Sequence, residues 1–198
     1  MEISMDMVKQ LRDETGVSIM QCKKALEEAK GDREKALMAL RKKSSEIAAK
    51  KSDRALGSGV VAAYVHANGS VGAMVELACE TDFVAKNEDF KKLAYEIAMH
   101  IAAMNPEFRT DAEISDEAKK KAESFFAEEV AALKKPKEIA DKVVAGKLES
   151  YFKEKVLLSQ PFVKDPNITV GEMVKGAVQK FGENTEIARF TYFRLGGK

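Results

Sequence analysis

Histidine and cysteine are the side chains best suited to nucleophilic, acid–base and metal chemistry near neutral pH. This 198-residue sequence holds two of each: His66, His100, Cys22 and Cys79. A metal centre or an activated nucleophile needs several such groups converging, and here none stands at ligand spacing from another or from a carboxylate. The G-x-x-x-x-G-K-[ST] and G-x-G-x-x-G phosphate loops are absent as well, and Gly196-Gly197 precedes no helix that could cradle a phosphate. Both histidines read as structural or surface groups, and both cysteines as reduced, partly buried thiols. No cofactor is implied. The pattern points away from an enzyme and toward a protein that acts by binding another macromolecule.

The stretch that best fits such a role is Glu80-Thr81-Asp82-Phe83-Val84-Ala85-Lys86-Asn87. Before it, Val71, Ala73, Val75, Leu77 and Cys79 alternate along a strand. After it, Phe83, Phe90, Leu93, Ile97, Ile101 and Met104 recur at helical spacing until Asn105-Pro106. Thr81 or Asp82 can cap the helix start by accepting a free backbone N–H, and the charge of Asp82 suits the helix dipole. Phe83 has two readings: a staple folded back on Phe90 or the strand, or an exposed wedge that enters a partner. Spacing alone leaves both open.

The elements that must position this stretch divide into two units, 1–54 and 55–198. In the first, Met5, Val8 and Leu11 predict a helix ended by Thr15-Gly16. Ser18, with Gln21 three residues on, has the spacing of a capping box, and Ile19, Cys22, Ala25, Leu26 and Ala29 share one face. Gly31-Asp32 opens a third helix with Ala36, Leu37 and Leu40 turned inward. Met20 reads as core filler or contact, and Lys23 and Lys24 as a solvated face or contact. From Arg41 to Arg54, six cations stand against Glu46 and Asp53. With no interleaved aromatics to stack on bases, this reads as a basic connecting helix rather than a nucleic-acid arm. Leu56-Gly57-Ser58-Gly59 then reads as a flexible hinge.

The second unit is predicted to be α+β, with helices against one side of a three-stranded antiparallel sheet. Val60–His66 and the alternating run after Asn68-Gly69 form a hairpin, the Asn-Gly pair suiting a type I′ turn. Ser115 caps a helix carrying Phe125, Phe126, Val130 and Leu133. Pro136 opens a second with Ile139, Val143 and Val144. Gly146 leads into a third with Leu148, Tyr151, Phe152 and Val156. Pro161–Asn167 is an extended loop, and Thr169-x-x-Glu172 a capping box for a helix through Met173, Val174, Ala177 and Phe181 that Gly182 closes. In the last strand, Glu186 to Leu195, apolar residues stand at odd positions (Ile187, Phe193, Leu195) and at even ones (Ala188, Phe190, Tyr192). That pattern predicts burial on both faces, one of them by another chain.

Lys and Arg number 33 against 32 Asp and Glu, so no overall field recruits nucleic acid or an acidic membrane. No apolar run is long enough to cross a bilayer, and Met1–Asp6 lacks the basic start and apolar core of a signal peptide. A cytoplasmic protein is the expectation.

Four segments in order then resemble one family. They are Thr15-Gly16-Val17-Ser18-Ile19-Met20-Gln21-Cys22-Lys23-Lys24-Ala25-Leu26, the Glu80–Asn87 stretch, Gln160-Pro161-Phe162-Val163-Lys164-Asp165, and Gly182-Glu183-Asn184 leading into Arg189-Phe190. Together they are similar to bacterial elongation factor Ts, the nucleotide-exchange factors of elongation factor Tu. The first segment departs from the family's usual form at Val17, Ser18, Ile19 and Gln21 but keeps Met20, Cys22, Lys23 and Lys24. The resemblance implies a ubiquitin-associated-like three-helix domain that docks on the partner through Met20, Lys23 and Lys24. It implies a Thr81-Asp82-Phe83-Val84 tip acting at the partner's Mg²⁺–phosphate region to release GDP. It also implies a compact member, in which a second copy completes the core; Phe190, Tyr192 and Phe193 are the expected dimer contacts. Rival readings are an adaptor for ubiquitin-like partners and an RNA binder using residues 41–54.

Overall fold

The computed structural model describes residues 3–132 and 136–197. Leu133, assigned above to a helix face, lies outside them. The first 51 residues carry three helices: α1 (Met5–Thr15), α2 (Ile19–Glu28) and α3 (Arg33–Lys51). Ser4, Ser18 and Asp32 cap them by accepting the N–H groups of Met7, Gln21 and Lys35. Gly16 ends α1 at φ 66°, a left-handed angle that glycine adopts without steric cost. Val8, Leu11, Cys22, Leu26, Ala36 and Leu40 form the small core between them. The basic segment is no separate connector. It is the second half of α3, which runs unbroken because nothing between Leu40 and Lys51 stops a helix.

Strand β1 (Ser58–Val65) pairs antiparallel with β2 (Val71–Cys79). Ser58 and Gly59, read above as hinge, are ladder residues. A Cβ on Gly59 would stand 2.6 Å from the Leu77 carbonyl, so glycine serves close approach there, not freedom. The hairpin turn also differs from a two-residue type I′ turn. His66 N–H bonds to Val71 O across a four-residue loop, and Gly69 alone, at φ 68°, is left-handed.

After β2 come α4 (Asp82–Ala85) and α5 (Glu88–Met104), two helices where the spacing predicted one. Asn87 splits them by taking an extended conformation and capping α5. Helices α6 (Asp116–Ala131) and α7 (Lys137–Lys155) form an antiparallel pair. Gly146 does not interrupt α7; the cost of an internal glycine, about 1 kcal/mol, is too small to break a 19-residue helix. The Pro161–Asn167 loop contains a minor hairpin, β3 (Pro161–Phe162) with β4 (Asp165–Thr169). The reciprocal capping box of Thr169 and Glu172 opens α8 (Val170–Phe181), and Gly182 closes it.

Strand β5 (Thr185–Arg194) completes a three-stranded antiparallel sheet in the order β1-β2-β5. The expected α+β architecture is present. Ala73, Val75, Leu77 and Cys79 face α5, where Phe90, Ile97 and Ile101 meet them in the main core. A bulge changes the reading of β5. Leu77 pairs with Ile187 but Glu76 pairs with Arg189, so Ala188 is an extra residue. Ile187, Phe190 and Tyr192 therefore share the helix-covered side, and the last strand is not apolar on both faces. Arg109 Nη1 donates to the carbonyls of Ile187 and Ala188 at 2.9 and 3.1 Å, satisfying the bulge.

The small helical core and the main core are joined where α3 packs on α8. Ser44 donates to Gln179, Gln179 Nε2 donates to Gln21 Oε1 at 2.9 Å, Arg41 donates to Asn167 O at 3.1 Å, and Lys51 donates to Gly182 O. Gln21 is thus drawn away from the return half of its capping box. Among the described residues, no helix is long and apolar enough to cross a membrane.

Candidate partner-binding tip

β2 leaves the sheet at Cys79 and turns outward through Glu80 and Thr81 into the one turn of α4. Thr81 has the extended backbone of an N-cap, but its hydroxyl does not cap. It donates to Glu183 Oε1 at 2.5 Å, while the Thr81 N–H donates to Glu183 Oε2 at 3.0 Å. Asp82 points to solvent and accepts from Lys86 Nζ at 2.6 Å; that ammonium holds the Asp82 carboxyl below the usual carboxylate range. The Phe83 ring is 81% exposed, which excludes the staple on Phe90, itself fully buried. Val84, grouped above with the contact residues, is buried in the main core beside Ala85. It anchors the turn rather than presenting a surface.

Beneath the tip, the Cys79 thiol donates to Thr81 O at 3.2 Å. Burial first, and then the nearby Glu183 carboxylate, push the Cys79 thiol up from its ordinary value. Glu80 accepts from Asn184 N–H at 2.6 Å and from Arg54; the Asn184 bond is the main reason its carboxyl lies below the usual range. Gly182-Glu183-Asn184, which in the sequence stands out only as part of the family resemblance, thus takes hold of the base of the tip. Its acid and amide on adjacent residues were the available signal.

On the N-terminal unit, Met20 is 81% exposed and so is not core filler. Lys23 and Lys24 are exposed on the same helix, each within 3.8 Å of a glutamate four residues on. Ile19, predicted to lie on the apolar face, is also exposed, at 45%. The expected dimer residues separate. Phe190 and Tyr192 pack against the main core, whereas Phe193 is 65% exposed on the opposite sheet face, level with Gly72 and Val65.

Both cysteines are free and buried. His100 is buried in α5; Val163 N–H donates to its Nδ1 at 3.2 Å, so Nε2 carries the proton and donates to Gln160 Oε1 at 2.9 Å. Burial lowers its pKa. Among the described residues, no three His, Cys, Asp or Glu side chains are grouped to hold a metal.

The profile of the family described as Elongation factor TS matches residues 3–197. The chain belongs to the elongation factor Ts family. Relatives named Elongation factor Ts include one from Fervidobacterium nodosum, 45% identical over 99% of this chain and 100% of the relative. Another, from Heliobacterium modesticaldum, is 47% identical over 96% of this chain and 88% of its own. A third, from Koribacter versatilis, is 43% identical over 99% and 90%. Family membership assigns the chain a role in translation elongation.

Proposed function

We propose that this protein is the guanine nucleotide exchange factor of elongation factor Tu and acts by binding rather than by covalent catalysis. The observation that carries the reading is Phe83, an aromatic residue 81% exposed in a single helical turn whose next two residues are buried in the core. An exposed aromatic on a rigid base is suited to enter a partner, since interface anchors are enriched in large rings that fill pockets. A GTPase holds GDP through a phosphate loop and Mg²⁺. A ring inserted beside that loop displaces it, and Asp82 brings negative charge to the same region. Linkage makes the effect reciprocal: the factor weakens GDP as much as GDP weakens the factor, so GTP can expel it.

Met20, Lys23 and Lys24 form the second contact in this reading, on a ubiquitin-associated-like three-helix domain. A second copy of the chain covers the outer sheet face, where Val61, Val65, Met74 and Phe193 are exposed. The protein works in the cytoplasm, without direct contact to nucleic acid or membrane. Two of the six cations of the basic segment, Arg41 and Lys51, are engaged by backbone carbonyls of the core unit, which favours a structural role for that segment over an RNA arm.

The test is release of fluorescent GDP from elongation factor Tu with and without this protein. Release at the spontaneous rate in the presence of excess factor would overturn the reading. Retention of ubiquitin in place of the GTPase in a pull-down would favour the adaptor.

A further inference from the structure

Two turns about 100 residues apart grip one another beside the tip. Glu183 accepts the N–H and the hydroxyl of Thr81, and Glu80 in return accepts the N–H of Asn184. Each turn satisfies a backbone donor of the other through an acidic side chain. The sheet does not require this clasp, because the β2–β5 ladder already ends at the Cys79–Thr185 pair. Asn184 extends the network, with Nδ2 at 3.4 and 3.3 Å from the carbonyls of Ser52 and Arg54 in the segment that joins the two units.

Thr81 is held at all three of its polar atoms. Besides the two bonds to Glu183, its carbonyl accepts from Ala85 N–H and from the Cys79 thiol. Such fixing matters because α4 is four residues long, too short to hold a direction by its own hydrogen bonds. Its C-terminal side is anchored by buried Val84 and Ala85. Its N-terminal side depends on Thr81, and Thr81 depends on Glu183.

We propose that Glu183 is a positioning residue for the Phe83 tip, fixing through Thr81 the direction in which the ring stands before a partner is met. The inference rests on the exchange reading above. A wedge distorts its target only if its own mounting resists; a tip free to swing binds and yields instead, and ordering it consumes interaction energy.

The experiment uses the intact protein with Glu183→Ala and Glu183→Gln. In the free protein, the Thr81 amide of Glu183→Ala should exchange hydrogen at least about tenfold faster than wild type, with Val75 and Leu77 amides unchanged. GDP release from elongation factor Tu at saturating factor should fall about tenfold, while the half-saturating concentration moves less than about threefold. Glu183→Gln keeps an acceptor for the Thr81 N–H and should recover most of both losses. A Thr81 amide as protected in Glu183→Ala as in wild type would overturn the clasp. A loosened tip with the wild-type rate of GDP release would overturn the positioning role. A wild-type protein that releases no GDP would sink the exchange reading itself, a result the amide measurement keeps separate from failure of the clasp.

Discussion

Phe83 and Val84 are chain neighbours on one turn of helix, yet the Phe83 ring is 81% exposed and the Val84 side chain 4%. The same turn is therefore both anchor and projection. Phe83→Ala should leave the melting temperature unchanged and lower the exchange rate more than the affinity for nucleotide-free partner. Loss of an anchor of this kind costs about 2 kcal/mol, or roughly thirtyfold in rate. Val84→Ala should behave oppositely, destabilising the fold by about 2 kcal/mol through two lost methyl groups and the cavity left behind. Calorimetry and stopped-flow GDP release on both variants check the pair; a Phe83→Ala protein that melts early would return the ring to a structural role.

Met20 makes a second test independent of the tip. Its side chain is almost fully solvated and caps no apolar neighbour in the small core. Met20→Ala should weaken binding to elongation factor Tu by about 1–2 kcal/mol without altering thermal stability. Titration calorimetry showing wild-type affinity would remove Met20 from the interface.

Assembly is tested by contrasting the two sides of β5. Phe193→Asp places a charge on the exposed face and should give a folded monomer in sedimentation. Phe190→Asp removes a ring packed against the main core and should lower the melting temperature, an effect Phe193→Asp should not share. A wild-type chain that sediments as a monomer at micromolar concentration would remove the second copy from the proposal.

His100 predicts a pH dependence in the free protein. Its folded pKa lies below the ordinary imidazole value of about 6.5, chiefly through burial, so the unfolded chain takes up the proton first. The stability it contributes is full above that value and is lost as pH falls from there through the folded pKa. The melting temperature should begin to drop as the pH falls below about 6.5, above the range in which the carboxylates titrate. His100→Gln should flatten that limb. An equal drop in the variant would assign it to other groups.

Much of this protein was legible in one dimension because local rules governed it. Ser18, Asp32 and Thr169 cap helices as their spacing indicated, and Gly16 and Gly182 end them, since these are contacts between residues a few positions apart. The strand alternation of β2 and the exposed role open to Phe83 were readable for the same reason. Where the sequence pattern failed, a distant backbone was the cause. Gly59 looked like a hinge until the Leu77 carbonyl was set against it. Thr81 looked like a cap until Glu183 claimed its hydroxyl. The odd and even apolar positions of β5 looked like two buried faces. Only the pairing with β2 shows that one inserted residue, Ala188, shifts the alternation and puts Ile187, Phe190 and Tyr192 on the same side, because a period of two cannot survive a bulge.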